Sequence, residues 1–274
     1  MSRVNRKTIL VKVAFGAGAI LLGGMAGLGA SVETAPSGDS AASPGEKTQR
    51  TNEMIELVGG EPMAEVVWEN GEWTCGPCRI GSPLPVGYPR PTAPGAIELK
   101  VYPSVRRAEV VGAGSRGSSV GFFPLFRHIT SRDIAMTAPV EMDYSLDAED
   151  HGIASLADRD DVWRMSFLYR DSDLGPTGDA ENGVRVVDSQ PVTVVSHGFR
   201  GRRTSARIAE AEAVLTEWIE SSEEWQSTGA RRWMGYNGPS TPASNQGWEV
   251  QFVIEPITED DGRQVASDSA DSDV

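Results

Sequence analysis

Histidine, cysteine and positive charge are the scarce resources of this chain. There are three histidines and two cysteines in 274 residues, and 25 basic side chains stand against 39 acidic ones. Two cysteines fill only half of a tetrahedral zinc site, and the three histidines form no metal-binding pair. A formal net charge of −14 opposes phosphate backbones, so nucleic-acid binding is excluded as a leading function. No Ser/His/Asp order and no phosphate-cradling loop stands out. The glycine-rich run at 112–117 lacks the dinucleotide spacing and reads as a flexible loop between a strand and a helix.

What is present begins with a targeting signature. Arg3, Arg6 and Lys7 precede an apolar run at 13–30, with Lys12 near its start. Residues 1–30 therefore read as a signal peptide or a membrane anchor, and the positive flank predicts an exported, periplasmic or extracytoplasmic protein, secreted or tethered to the membrane through this segment. A Ser/Ala/Pro/Gly-rich linker follows over 31–52. Residues 53–94 form an extension that carries Cys75-Gly76-Pro77-Cys78, a candidate short strand at 65–68 and an Asn70-Gly71 turn, before prolines 83, 85, 89, 91 and 94 lead into the main domain at 95–257. Residues 258–274 read as an acidic, disordered tail, and a second acidic loop covers 147–161.

Within the main domain the dominant period is two. Ile97, Leu99 and Val101 alternate with Glu98 and Lys100. Trp163, Met165 and Phe167 alternate with Arg164 and Ser166, and Trp248, Val250, Phe252 and Ile254 alternate with Glu249 and Gln251. Such strands are expected to bury one face and wet the other. Helical spacing occurs twice, at 121–129 and at 205–220, where Ile208, Ala211, Leu215, Trp218 and Ile219 share a side and Thr204 or Ser205 can cap. The element order suggests an α+β fold: two pseudo-repeated ββαβ-type halves forming a distorted antiparallel β-barrel with two main helices.

The string Ile134-Ala135-Met136-Thr137-Ala138-Pro139-Val140 reads as an edge strand with Ile134, Met136, Ala138 and Val140 on one face and Pro139 at a break. The same string resembles the signature of the SOUL haem-binding family. Ile97-Glu98-Leu99-Lys100-Val101-Tyr102-Pro103 resembles that family's opening strand, and Gly121-Phe122-Phe123-Pro124-Leu125-Phe126-Arg127-His128-Ile129 its first helix. Gly235-Tyr236-Asn237-Gly238-Pro239 and Glu249-Val250-Gln251-Phe252 resemble the last loop and strand. The resemblance implies the barrel, a haem or tetrapyrrole ligand, and no defining enzymatic reaction.

A porphyrin needs an apolar slot, cations for its propionates and, for some members, an axial donor. The resemblance places that slot between the first helix and the last loop. The candidate haem-binding residues are Phe122, Phe126, His128, Ile129, Arg231, Trp233, Met234 and Tyr236, with Arg127 and Arg232 as further cations. The histidine that some relatives carry in the opening strand is Val101 here; of the three histidines, His128 on the first helix is the candidate axial ligand and metal-binding residue, with Met136, Met234 and Tyr236 as outside candidates, while His151 reads as solvated and His197 as a strand-end residue. Phe122, Phe126 and Ile129 also fit the buried side of an amphipathic helix.

Cys75 and Cys78 are candidates for a structural disulfide in an exported protein, for a redox dithiol, or for a metal or haem contact. Arg79 stands where a c-type haem motif requires histidine. Two other functions compete with haem binding. One is a small-molecule or protein-interaction domain that has lost haem; the other is a thiol oxidoreductase built on the Cys75/Cys78 pair.

Overall fold

The computed structural model describes residues 54–114, 117–144, 161–238 and 240–258. The expected targeting segment, the linker, the acidic tail beyond 258 and most of the acidic loop, with His151, lie outside the described residues. Among the described residues no helix is long and apolar enough to cross a membrane.

The extension contributes β1 (Ile55–Gly60), β2 (Val66–Glu69), β3 (Glu72–Cys75) and β4 (Cys78–Ile80). The main domain continues with β5 (Ala96–Tyr102), β6 (Arg106–Ala113), helix α1 (Gly117–Ser131), β7 (Val140–Tyr144) and β8 (Val162–Leu168). It closes with β9 (Gly178–Asp179), β10 (Arg185–Asp188), β11 (Val192–Arg200), helix α2 (Ser205–Glu220), β12 (Trp225–Gly235) and β13 (Gly247–Pro256). Strands β2, β3 and β4 form a small sheet, and the other ten form one antiparallel sheet in the order β1-β5-β11-β13-β12-β7-β8-β6-β10-β9.

The sheet is not closed, which corrects the expected barrel. β1, from the extension, takes the free edge of β5, while β10 and then the short β9 take the free edge of β6. The two edges that would have to meet are each covered by another strand. A repeat of matched halves is not evident either. β5 comes from the first half of the chain, yet lies beside β11 on the side of the sheet that α2 covers.

Strand register sorts the side chains into two faces. One cross-strand row reads Leu99, Val195, Phe252, Arg231, Tyr144, Trp163 and Gly112. Both helices pack on this face. Leu125 and Ile129 of α1 meet Trp163, Met165 and Phe167, and Ile208, Ala211 and Leu215 of α2 meet Val195, Val250 and Phe252. Helix α2 begins where the sequence indicates, because the Thr204 hydroxyl accepts from the Arg207 N–H at 3.3 Å.

The next row is polar throughout: Glu98, Ser196, Gln251, Arg232, Asp143 and Arg164. The sequence reading places such residues in water, and the structure corrects it: all six are buried. Their cover is the proline-rich strap at 81–94, whose Leu84 and Tyr88 pack with Tyr102, Val194, Met234 and Tyr236. Val101, expected inside, is 41% exposed instead. The expected strand at 134–140 also differs. Only Val140 enters β7, Thr137 and Ala138 are buried, and Met136 is exposed, because the Thr137 hydroxyl turns inward to donate to the Leu168 carbonyl.

Candidate functional site

Helix α1 has an inner and an outer side. Leu125, His128 and Ile129 point into the core, whereas Val120, Phe123 and Phe126 are 57%, 72% and 45% exposed. Phe122 joins the two sides. It stacks on Phe126 at 5.8 Å and 12°, and meets Phe123 and the core residue Phe167 edge-on at 5.9 and 5.3 Å. An aromatic ladder thus runs from the core to the surface, with exposed Arg127 beside it on the helix.

His128 is enclosed beneath this helix. Its Nε2 lies 2.8 Å from the Tyr169 hydroxyl, and its buried Nδ1 has no partner. Burial, with Arg132 nearby, lowers its pKa below the usual imidazole value, so the ring is neutral at pH 7. A ring 4% exposed in the core faces no open groove.

The remaining candidates separate because β12 alternates. Arg231 and Trp233 face the helices, whereas Met234 and Tyr236 project beneath the strap and are buried there. The eight residues expected to line one slot therefore occupy the outer side of α1, the core, the sheet centre and the opposite face. The turn after β12 packs towards the extension: Asn237 donates to the Arg79 carbonyl at 2.6 Å.

Sequence reasoning missed a constellation at the centre of the helical face. The rings of Tyr144 and Trp233 lie 4.1 Å apart, and the Arg203 guanidinium sits 4.9 Å over Trp233 and 5.4 Å over Trp248. Alternation along β12 and β13 signals that Trp233 and Trp248 share a face, but nothing local marks Arg203. Trp248 lies flat across β12 because its neighbour is Gly235, where a Cβ would stand 2.7 Å from the ring.

The opposite face carries a dense network of ion pairs and hydrogen bonds. Glu249 accepts from the Thr92 N–H and the Tyr236 hydroxyl at 2.6 Å, from Gln251 at 2.7 Å, from Ser196 at 2.8 Å and from Lys100 at 3.2 Å. Burial alone would raise this carboxyl; the Lys100 ammonium and these hydrogen bonds outweigh it and hold the pKa down at about 2. Burial in turn lowers the Lys100 pKa against the pull of Glu249 and Glu98. Both are charged at neutral pH, because the ammonium reaches the Arg90 carbonyl at 2.8 Å as well as the carboxylate. Glu141 is held likewise by Arg107 at 2.9 Å and Tyr88 at 3.1 Å. With its charges partnered and its strap in place, and the buried Ser166 hydroxyl its one unpartnered side-chain polar group among the described residues, this face offers structure rather than an open reactive centre.

Cys75 and Cys78 oppose each other across the β3–β4 hairpin as buried thiols. Burial, and then Cys78, push the Cys75 thiol up to about 11, away from the thiolate character of a reactive dithiol. Among the described residues no group of three or more His, Cys, Asp or Glu side chains is placed to hold a metal ion.

These features define an α+β domain with two helices on one face of an open antiparallel sheet and a buried ionic layer on the other. The chain belongs to the SOUL heme-binding protein family, whose model matches residues 89–253. No curated protein matches it. Among solved structures it is similar to the EcmrR C-terminal domain, at 15% identity and a TM-score of 0.46, over 59% of this chain and 98% of that one. It is also similar to a hydrolase from Listeria innocua, at 10% identity and a TM-score of 0.44, over 61% and 94% of the two chains. Both likenesses are too distant to bear on ligand or activity.

Family membership raises haem, and the residues fit it in part. The Phe122/Phe123/Phe126 ladder suits a flat apolar macrocycle and Arg127 a propionate. Two of the axial positions considered do not fit: Val101 cannot ligate and His128 is shut in the core.

Proposed function

We propose that this protein binds haem or another tetrapyrrole without catalysing a reaction, as a carrier, buffer or sensor. In this reading the macrocycle rests against the outer side of α1. Phe123 and Phe126 supply apolar contact, Phe122 backs them, and Arg127 attracts a carboxylate. The exposed phenylalanine pair on a SOUL-family helix is the observation that carries it, since large apolar side chains clustered in water mark interaction sites. Export through residues 1–30, with cleavage or tethering there, belongs to the same proposal and is tested by fractionating cells that express the full chain.

Titration with hemin should give a saturable Soret shift, and Phe123→Ser/Phe126→Ser should abolish it. Because the proposed contact is with the phenylalanines of α1 rather than through iron, metal-free protoporphyrin IX should bind within about tenfold of hemin. A flat response to both porphyrins, or an undiminished response in the double variant, would refute the assignment.

A further inference from the structure

The arginines that are buried or half-buried obey one rule with one exception. Arg90, Arg106, Arg107 and Arg164 have a carboxylate at 3.0, 2.8, 2.9 and 2.8 Å, and Arg232 has one at 3.8 Å. Half-buried Arg203 has none among the described residues, although acids outnumber bases 39 to 25. Its guanidinium is held instead by carbon. It lies over the rings of Trp233 and Trp248, beside Tyr144, whose own ring packs on Trp233. Most of its hydrogen-bonding edge is left over, because a guanidinium has five N–H donors.

The surroundings repeat this surplus of donors. Among the described residues the indole N–H groups of Trp233 and Trp248, like that of Trp163, are buried and have no acceptor. A buried donor without a partner costs free energy that a suitable ligand restores. Exposed Arg202 and Arg231 add positive charge, and Glu212 reaches Arg231 only at 3.7 Å.

Comparison with the other tryptophan–glycine pair shows that the place is open. Trp163 lies over Gly112 as Trp248 lies over Gly235, but α1 brings Gly121 down on Trp163, which is 3% exposed. Trp248 is half-buried, and what lies over it is the Arg203 side chain.

We propose that Arg203, stacked on Trp233 and Trp248 beside Tyr144, is a binding site for a planar aromatic carboxylate. The carboxylate pairs with the guanidinium edge, where bidentate geometry and charge add strength. The ring of the ligand lies along the exposed aromatic surface. This site is separate from the outer side of α1 and does not depend on tetrapyrrole binding.

The test uses the full chain and three probes of one shape, 2-naphthoate, 2-naphthylmethanol and 2-naphthylmethylammonium, followed by calorimetry and ligand-observed NMR. Naphthoate should saturate at least about tenfold more tightly than the neutral and cationic probes, the scale of a charge-assisted bidentate pair. Arg203→Gln should remove that preference and Arg203→Lys should retain part of it, with thermal midpoints confirming that each variant is folded. If Arg203→Gln does not fold, the ranking of the three probes on the unaltered chain decides. Equal binding of the three, tighter binding of the ammonium, or no saturable binding at millimolar probe overturns the proposal. Phe123→Ser/Phe126→Ser should leave naphthoate binding intact, so failure of the hemin titration and failure of this one are separate results.

Discussion

The two faces of the large sheet solve the same problem with opposite chemistry. On the helical face, apolar rows are covered by α1 and α2 and the surplus aromatic surface reaches solvent. On the other face, a row of six polar side chains is buried beneath a proline-rich strap that adds Leu84 and Tyr88 to the core and Arg90 and Thr92 to the polar network. The helical face tolerates loose ends such as Phe123, Arg203 and the unpartnered indoles of Trp163, Trp233 and Trp248. On the ionic face the loose end among the described residues is a neutral one, the Ser166 hydroxyl, because each buried charge must be met. Ligand sites accordingly belong on the first face, and positional rigidity on the second.

The sharpest way to break this contrast is to unpair the ionic face. Lys100→Met should cost about 3–5 kcal/mol in urea unfolding, since it strands Glu249 and Glu98 without their ammonium. A loss within the range of an ordinary surface change would mean that water reaches this layer. Leu215→Ala, fully buried under α2, should cost about 2–5 kcal/mol by leaving a cavity, and its effect should be insensitive to salt and pH.

The faces should also part company in acid. The Glu249 carboxyl titrates at about 2 in the fold, below its ordinary value of 4.5. Its stabilisation is therefore complete above that ordinary value and is lost as pH falls from there through about 2. Urea midpoints measured from pH 7 down to pH 2 should be level at first and then decline. Lys100→Met should flatten part of the decline and Leu215→Ala should not; the same slope in both would detach the effect from the ion pair. The smallest change is expected at the surface. Phe123→Ser should alter stability by no more than about 0.5 kcal/mol, and a larger loss would show that the ring serves packing rather than a ligand.

Much of the framework is legible locally. The alternation along β5, β8 and β13, the span and cap of α2, and the Asn70-Gly71 turn follow from period, capping and turn chemistry, each of which acts over a few residues. The wet face does not follow, because Glu98, Arg164 and Glu249 look solvated until a strap more than a hundred residues from β13 is known to cover them. The candidate site was readable only in part. Phe126 and Trp233 reach useful positions, while strand alternation sends Met234 to the opposite side and helical phase turns His128 inward. Arg203 carried no local signal, since a cation gains meaning from rings supplied by β7, β12 and β13.

Residue order alone thus determined the family, the acidic character, the strands and the two helices, for these depend on short-range pattern. Tertiary structure decided that the sheet stays open, that its polar rows are dry, and that one arginine rests on tryptophans with no counter-ion among the described residues. Each of those outcomes depends on which distant segment reaches an edge or a face first, and no local period encodes that.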